Sequence, residues 1–111
     1  MINIVNKTDN LIDTFGLYSM NRLKPDYYFL IKSNDSILCN CGESFYPNSF
    51  YLVSRDTIIE NGIIENRVNK NYDPTNPSSL NAGEYSLIID SIKTSMSSVY
   101  LIKNNDWRNN I

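Results

Sequence analysis

Short runs of alternating aromatic and aliphatic residues, each broken within a few positions by Asn, Asp, Pro or Gly, restrict this chain more than any other feature. Side chains alternate along an extended backbone. Tyr27 to Ser33 therefore sets Tyr27, Phe29 and Ile31 on one side and Tyr28, Leu30 and Lys32 on the other. Ile2 to Val5, Ser36 to Asn40, Phe50 to Ser54, Glu84 to Lys93 and Val99 to Lys103 read as further strands. Two hairpins are predicted. Asn34-Asp35 joins the strand at Tyr27 to the strand at Ser36, and Asn61-Gly62 joins Thr57–Glu60 to Ile63–Arg67 through a type I′ turn.

One helix competes with this pattern. Thr8 is placed to cap a brief turn carrying Leu11, Ile12, Phe15 and Tyr18 at three-to-four spacing, weakened by Gly16 and ended by Pro25. Ala82 is the only alanine in 111 residues, so the best helix former is nearly missing. The expected fold is mainly β, a small β-sandwich or barrel-like fold of seven or eight short strands with at most one short N-terminal helix. An α+β roll is the alternative. The chain is long enough for one modest core, and residues 1–111 read as a single domain. Residues 71–82, with Pro74 and Pro77, read as a long loop, Ser95 to Ser98 as a polar turn, and 104–111 as a tail that frays unless Trp107 docks.

The chain contains no histidine, which removes the Ser-His-Asp triad, the Cys-His pair and the HExxH zinc site. Cys39 and Cys41 would share one face of a strand, too close for a routine disulfide, and two thiols do not complete a structural zinc site. They are expected as free thiols. No spacing among the carboxylates matches a calcium loop, and Glu60, Glu65, Arg55 and Asp56 read as a solvated hairpin face. We expect no catalytic residues, no metal and no cofactor; the chain reads as a non-enzyme.

The net charge is −2, and lysines and arginines occur singly, so direct nucleic-acid binding is not expected. No apolar run is long enough to span a bilayer and the first residues lack a signal-peptide pattern, which points to the cytoplasm. Seventeen asparagines and fourteen isoleucines beside one alanine are what AT-rich coding DNA produces. Small AT-rich reading frames are common in phages and mobile elements.

The aromatic residues exceed what so small a core needs. Tyr28, Tyr51 and Tyr100 each neighbour an inward-facing residue, so they are expected to point outward and form a binding face, with Trp107 as a further anchor. Residues 80 to 88, Leu-Asn-Ala-Gly-Glu-Tyr-Ser-Leu-Ile, resemble the tyrosine corner of immunoglobulin-like domains, with Tyr85 in the place of the corner tyrosine and Leu87 where the second cysteine would stand. That resemblance implies a β-sandwich and a binding role, without the inter-sheet disulfide.

The leading functional expectation is a non-catalytic protein-protein binding module. It would be a phage or mobile-element accessory protein, anti-CRISPR-like, that inhibits a host factor such as a defence nuclease. The alternatives are a virion or baseplate domain, structural or receptor-binding, that forms homo-oligomers, and a protein that sequesters a small ligand or nucleotide.

Overall fold

Each alternating run becomes a strand. The computed structural model describes residues 2–18, 24–39, 49–67, 85–93 and 98–103. Its strands are β1 (Ile2–Asn6), β2 (Ile12–Tyr18), β3 (Tyr27–Ile31), β4 (Ser36–Cys39), β5 (Ser49–Ser54), β6 (Thr57–Ile63), β7 (Glu65–Asn66), β8 (Tyr85–Ser91) and β9 (Ser98–Lys103). Five form one sheet in the order β4-β1-β8-β9-β7, and four form a second in the order β3-β2-β5-β6. The β1–β8 and β7–β9 pairs are parallel and the others antiparallel.

The sheets pack face to face as a small β-sandwich. Ile2, Ile4, Leu87, Ile89, Val99 and Leu101 from one sheet meet Ile12, Phe15, Leu17, Ile31, Phe50 and Leu52 from the other in one core. The Phe15 and Phe50 rings stack at 5.8 Å between centroids. Each buried aliphatic or aromatic side chain here stabilises the fold by roughly 1.5–3 kcal/mol. No helix occurs among the described residues, so the α+β roll lacks its helical layer there.

The segment expected as a helix is β2. A β-bulge explains why its spacing misleads: Ile12 pairs with Ile31 and Phe15 with Phe29, so three steps on β2 match two on β3. Ile12 and Phe15, three apart, thus both face the core, as they would on a helix. Thr8 caps nothing. Its hydroxyl and amide bond the Asn6 Oδ1 at 2.7 and 3.0 Å, while the Asn6 Nδ2 donates to the carbonyls of Asn10, Ile31 and Lys32 at 2.9, 3.2 and 3.1 Å. Asn6 is fully buried, so these bonds offset the cost of desolvating its amide while tying β1 of one sheet to the end of β3 in the other.

Both expected hairpins are corrected. The Asn34-Asp35 turn exists, with Asn34 at φ 55°, but β3 and β4 are edge strands of different sheets, so the turn crosses the sandwich. Asn61-Gly62 lies inside β6 as a bulge, because Phe50 pairs with Gly62 and Leu52 with Ile59. The two-residue hairpin turn is instead Arg55-Asp56 between β5 and β6, with Arg55 at φ 55°. After the bulge the chain leaves one sheet at Ile63, buries Ile64 and enters the other at Glu65.

Cys39 is buried and disulfide-bonded, which corrects the expectation of a free thiol. The only other cysteine in the sequence, Cys41, lies outside the described residues, as do the 71–82 loop, most of the 95–98 turn and the 104–111 tail.

Candidate binding face

Alternation fixes which residues of the four-stranded sheet look away from the core. Gly16 on β2 pairs with Tyr28 on β3 and with Tyr51 on β5, so these two tyrosines flank one glycine in a single row. A Cβ on Gly16 would come within 2.7 Å of the Pro25 Cγ and 3.2 Å of the Tyr51 Cβ. The glycine therefore lets Pro25 lie down between the tyrosines. A neighbouring row carries Thr14, Val53 and Ile58, with Leu30 beyond the β2 bulge, and the opposite row carries Tyr18, Ser49 and Ile63. Tyr28, Leu30 and Ile58 are 56–57 % exposed and Ile63 is 82 % exposed, while Tyr51 and Val53 are half-buried. The strands contribute two charged residues to the side away from the core, the exposed carboxylates Asp13 and Glu60.

Tyr18 is the aromatic residue that sequence reasoning assigned to a helix and so missed. It is buried, and the burial is the main force raising its phenol above the ordinary value; a hydrogen bond with the Asn61 backbone acts in the opposite direction, and Glu60, Tyr28 and Tyr51 add to the rise. The signal was available in principle, because Gly16 and Tyr18 share parity on a strand, but it appears only once β2 is read as extended.

Tyr100 is elsewhere. It lies on β9 with Ile88 and Glu65 beside it, on the outer face of the other sheet, and it is buried rather than exposed. The Arg67 guanidinium covers its ring at 3.9 Å and pairs with Glu65 at 3.0 Å. Tyr100 therefore cannot share one contact surface with Tyr28 and Tyr51. Trp107 lies outside the described residues. Tyr85 begins β8 and packs into the core, and residues 80–84 of the corner-like segment also lie outside the described residues.

A polar depression of about 260 Å³ sits at the Arg55-Asp56 turn, lined by Asn10, Ser54, Arg55, Asp56, Thr57 and Ile92. It is smaller and more polar than the apolar clefts that hold most small ligands. Among the described residues no three metal-ligating side chains converge, and no helix is long and apolar enough to cross a membrane. Comparison with protein-family models, curated proteins and solved structures finds no match to this chain.

Proposed function

We propose that the chain is a non-catalytic protein-binding module whose contact surface is the outer face of the β3-β2-β5-β6 sheet. The observation that supports this is the gathering of Tyr28, Leu30, Tyr51, Val53, Ile58 and Ile63 on one side, to which the strands contribute only the charges of Asp13 and Glu60. Contiguous apolar surface rimmed by polar groups marks contact sites, and tyrosine supplies large contact area at low entropic cost. The partner is a protein offering an uncharged apolar patch. We place the module in the cytoplasm of a bacterial host, carried by a phage or mobile element and inhibiting a host factor. An acidic decoy for a nuclease cleft draws little support from this face, to which the strands contribute two carboxylates, Asp13 and Glu60. Inhibition by steric cover fits it better.

Affinity capture from a bacterial lysate with paired variants tests the assignment. Tyr28→Ala and Leu30→Ser are expected to reduce capture of one stoichiometric protein about tenfold each, in line with truncation of a contact anchor, while Tyr100→Ala leaves the captured amount of folded protein unchanged. Equal capture by wild type and both face variants removes this face as the binding site. The exposed apolar rows also favour a second reading, self-association. A wild-type oligomer in light scattering that becomes monomeric in Leu30→Ser would support it.

A further inference from the structure

We propose that Asn61 is a site of spontaneous deamidation, converting to isoaspartate and aspartate in the folded protein. Three features of β6 converge on it. First, Asn61-Gly62 is the only Asn-Gly step in the sequence, and glycine opposes least the attack of its own amide nitrogen on the preceding side chain. Second, the fold enforces that glycine: a Cβ at position 62 would lie 2.4 Å from the Phe50 Cζ and 2.6 Å from its Cε1, and Phe50 is buried in the core. Third, Asn61 is exposed on a terminal strand of its sheet, held at φ 52° in a bulge where neither it nor Glu60 faces a residue of β5 in the ladder. Water and base reach its side chain there; Asn61 itself has no ladder partner, while its backbone bonds the Tyr18 phenol and Gly62 pairs with Phe50.

The chemistry balances with water as the sole co-reactant. The Gly62 backbone nitrogen gives its proton to a solvent base and bonds to the Asn61 Cγ; the Cγ–Nδ2 bond breaks and the nitrogen leaves as ammonia. Water then opens the cyclic imide. Attack at the main-chain carbonyl leaves isoaspartate, with one extra methylene in the backbone of β6, and attack at Cγ leaves aspartate. Either product adds a carboxylate beside Glu60 and at the backbone that contacts the Tyr18 phenol. Packing thus conserves the reactive pair: Phe50 demands glycine, and the left-handed turn of the bulge favours asparagine before it. The inference is independent of the binding reading above.

The test incubates the full folded chain at mildly acidic and mildly alkaline pH, then maps peptides by mass and labels isoaspartate with an isoaspartyl methyltransferase. The expected result is loss of the Asn61 amide several-fold faster than that of any other described asparagine, faster still at alkaline pH, with isoaspartate in excess over aspartate. Asn61→Gly, which tolerates the same backbone conformation, should abolish the label on the peptide that carries position 61. The same chain in denaturant is the reference. An Asn61 that converts in denaturant but stays intact in the folded protein, or a label that persists on that peptide in Asn61→Gly, overturns the proposal.

Discussion

On the outer face of the five-stranded sheet Ile88 is 3 % and Tyr100 9 % exposed, whereas on the outer face of the four-stranded sheet Tyr28, Leu30 and Ile58 are more than half exposed. Both faces come from the same alternation, in which every second residue of a strand turns away from the core. What separates them is cover. Arg67 extends from the residue after β7 over the Tyr100 ring, anchored by Glu65, whose carboxylate is held below its usual range chiefly by that hydrogen bond. On the other sheet Pro25 packs over Gly16, and although Tyr18 and Ser49 are buried, Tyr28, Leu30, Ile58 and Ile63 stay open. Around Tyr100 the outward apolar residues therefore serve stability, whereas Leu38 on edge strand β4 of the same sheet, 58 % exposed, stays open like the exposed residues of the four-stranded sheet.

Substitutions can break this contrast, beginning with the largest effect. Ile88→Ala should cost about 2–5 kcal/mol in chemical denaturation, because it empties a buried site despite facing away from the core. A loss as small as that of an exposed residue would erase the distinction between the faces. Gly62→Ala should cost about 1–3 kcal/mol by driving a methyl group into the Phe50 ring, and Phe50→Leu in the same chain should recover part of it. Arg67→Ala should cost about 0.5–1 kcal/mol, the size of a partly exposed cation–π contact, and should increase Tyr100 accessibility to nitration. Ile63→Ser, at 82 % exposure, should change stability by less than about 0.5 kcal/mol.

Titration sharpens the same comparison. Burial is the main cause that raises the Tyr18 and Tyr100 phenols above the ordinary 10.0. A phenol with a raised folded value favours the folded state while it remains protonated. Its contribution is complete below pH 10.0 and is lost as pH climbs from there through the folded values. Denaturation midpoints should therefore fall above that pH, and Tyr18→Phe should flatten part of the fall.

The class of fold was legible because period-two alternation leaves few alternatives, and the strands at Tyr27, Phe50 and Val99 begin within a residue or two of where the pattern places them. The pairing was less legible. Asn61-Gly62 satisfies the left-handed requirement of a hairpin turn and of a bulge equally well, and the choice fell to Phe50, whose ring needs a glycine opposite it. Arg55-Asp56 gave no turn signal comparable to Asn-Gly, yet it turns the chain between β5 and β6, and the Arg55 amide bonds the Asp13 carboxylate at 3.2 Å. Of the four expected contact residues, Tyr28 and Tyr51 were legible as neighbours on an outer face. Tyr100 has the same parity on its strand, but alternation cannot foresee a guanidinium placed over the ring by a strand from a distant part of the sequence.

The parallel ladder between β1 and β8, which sets Asn3 beside Ser86, has a consequence for how the molecule reaches this state. β2, β3, β5 and β6 all lie between those two strands in the sequence, so the four-stranded sheet can assemble from nearer contacts first. The centre of the five-stranded sheet must wait for a long loop to close, and such closures slow folding. During that interval β1, carrying Ile2 and Ile4, has no central partner. The open apolar face that outlives folding is preceded by a transient one, so refolding yield should fall with protein concentration before native stability does.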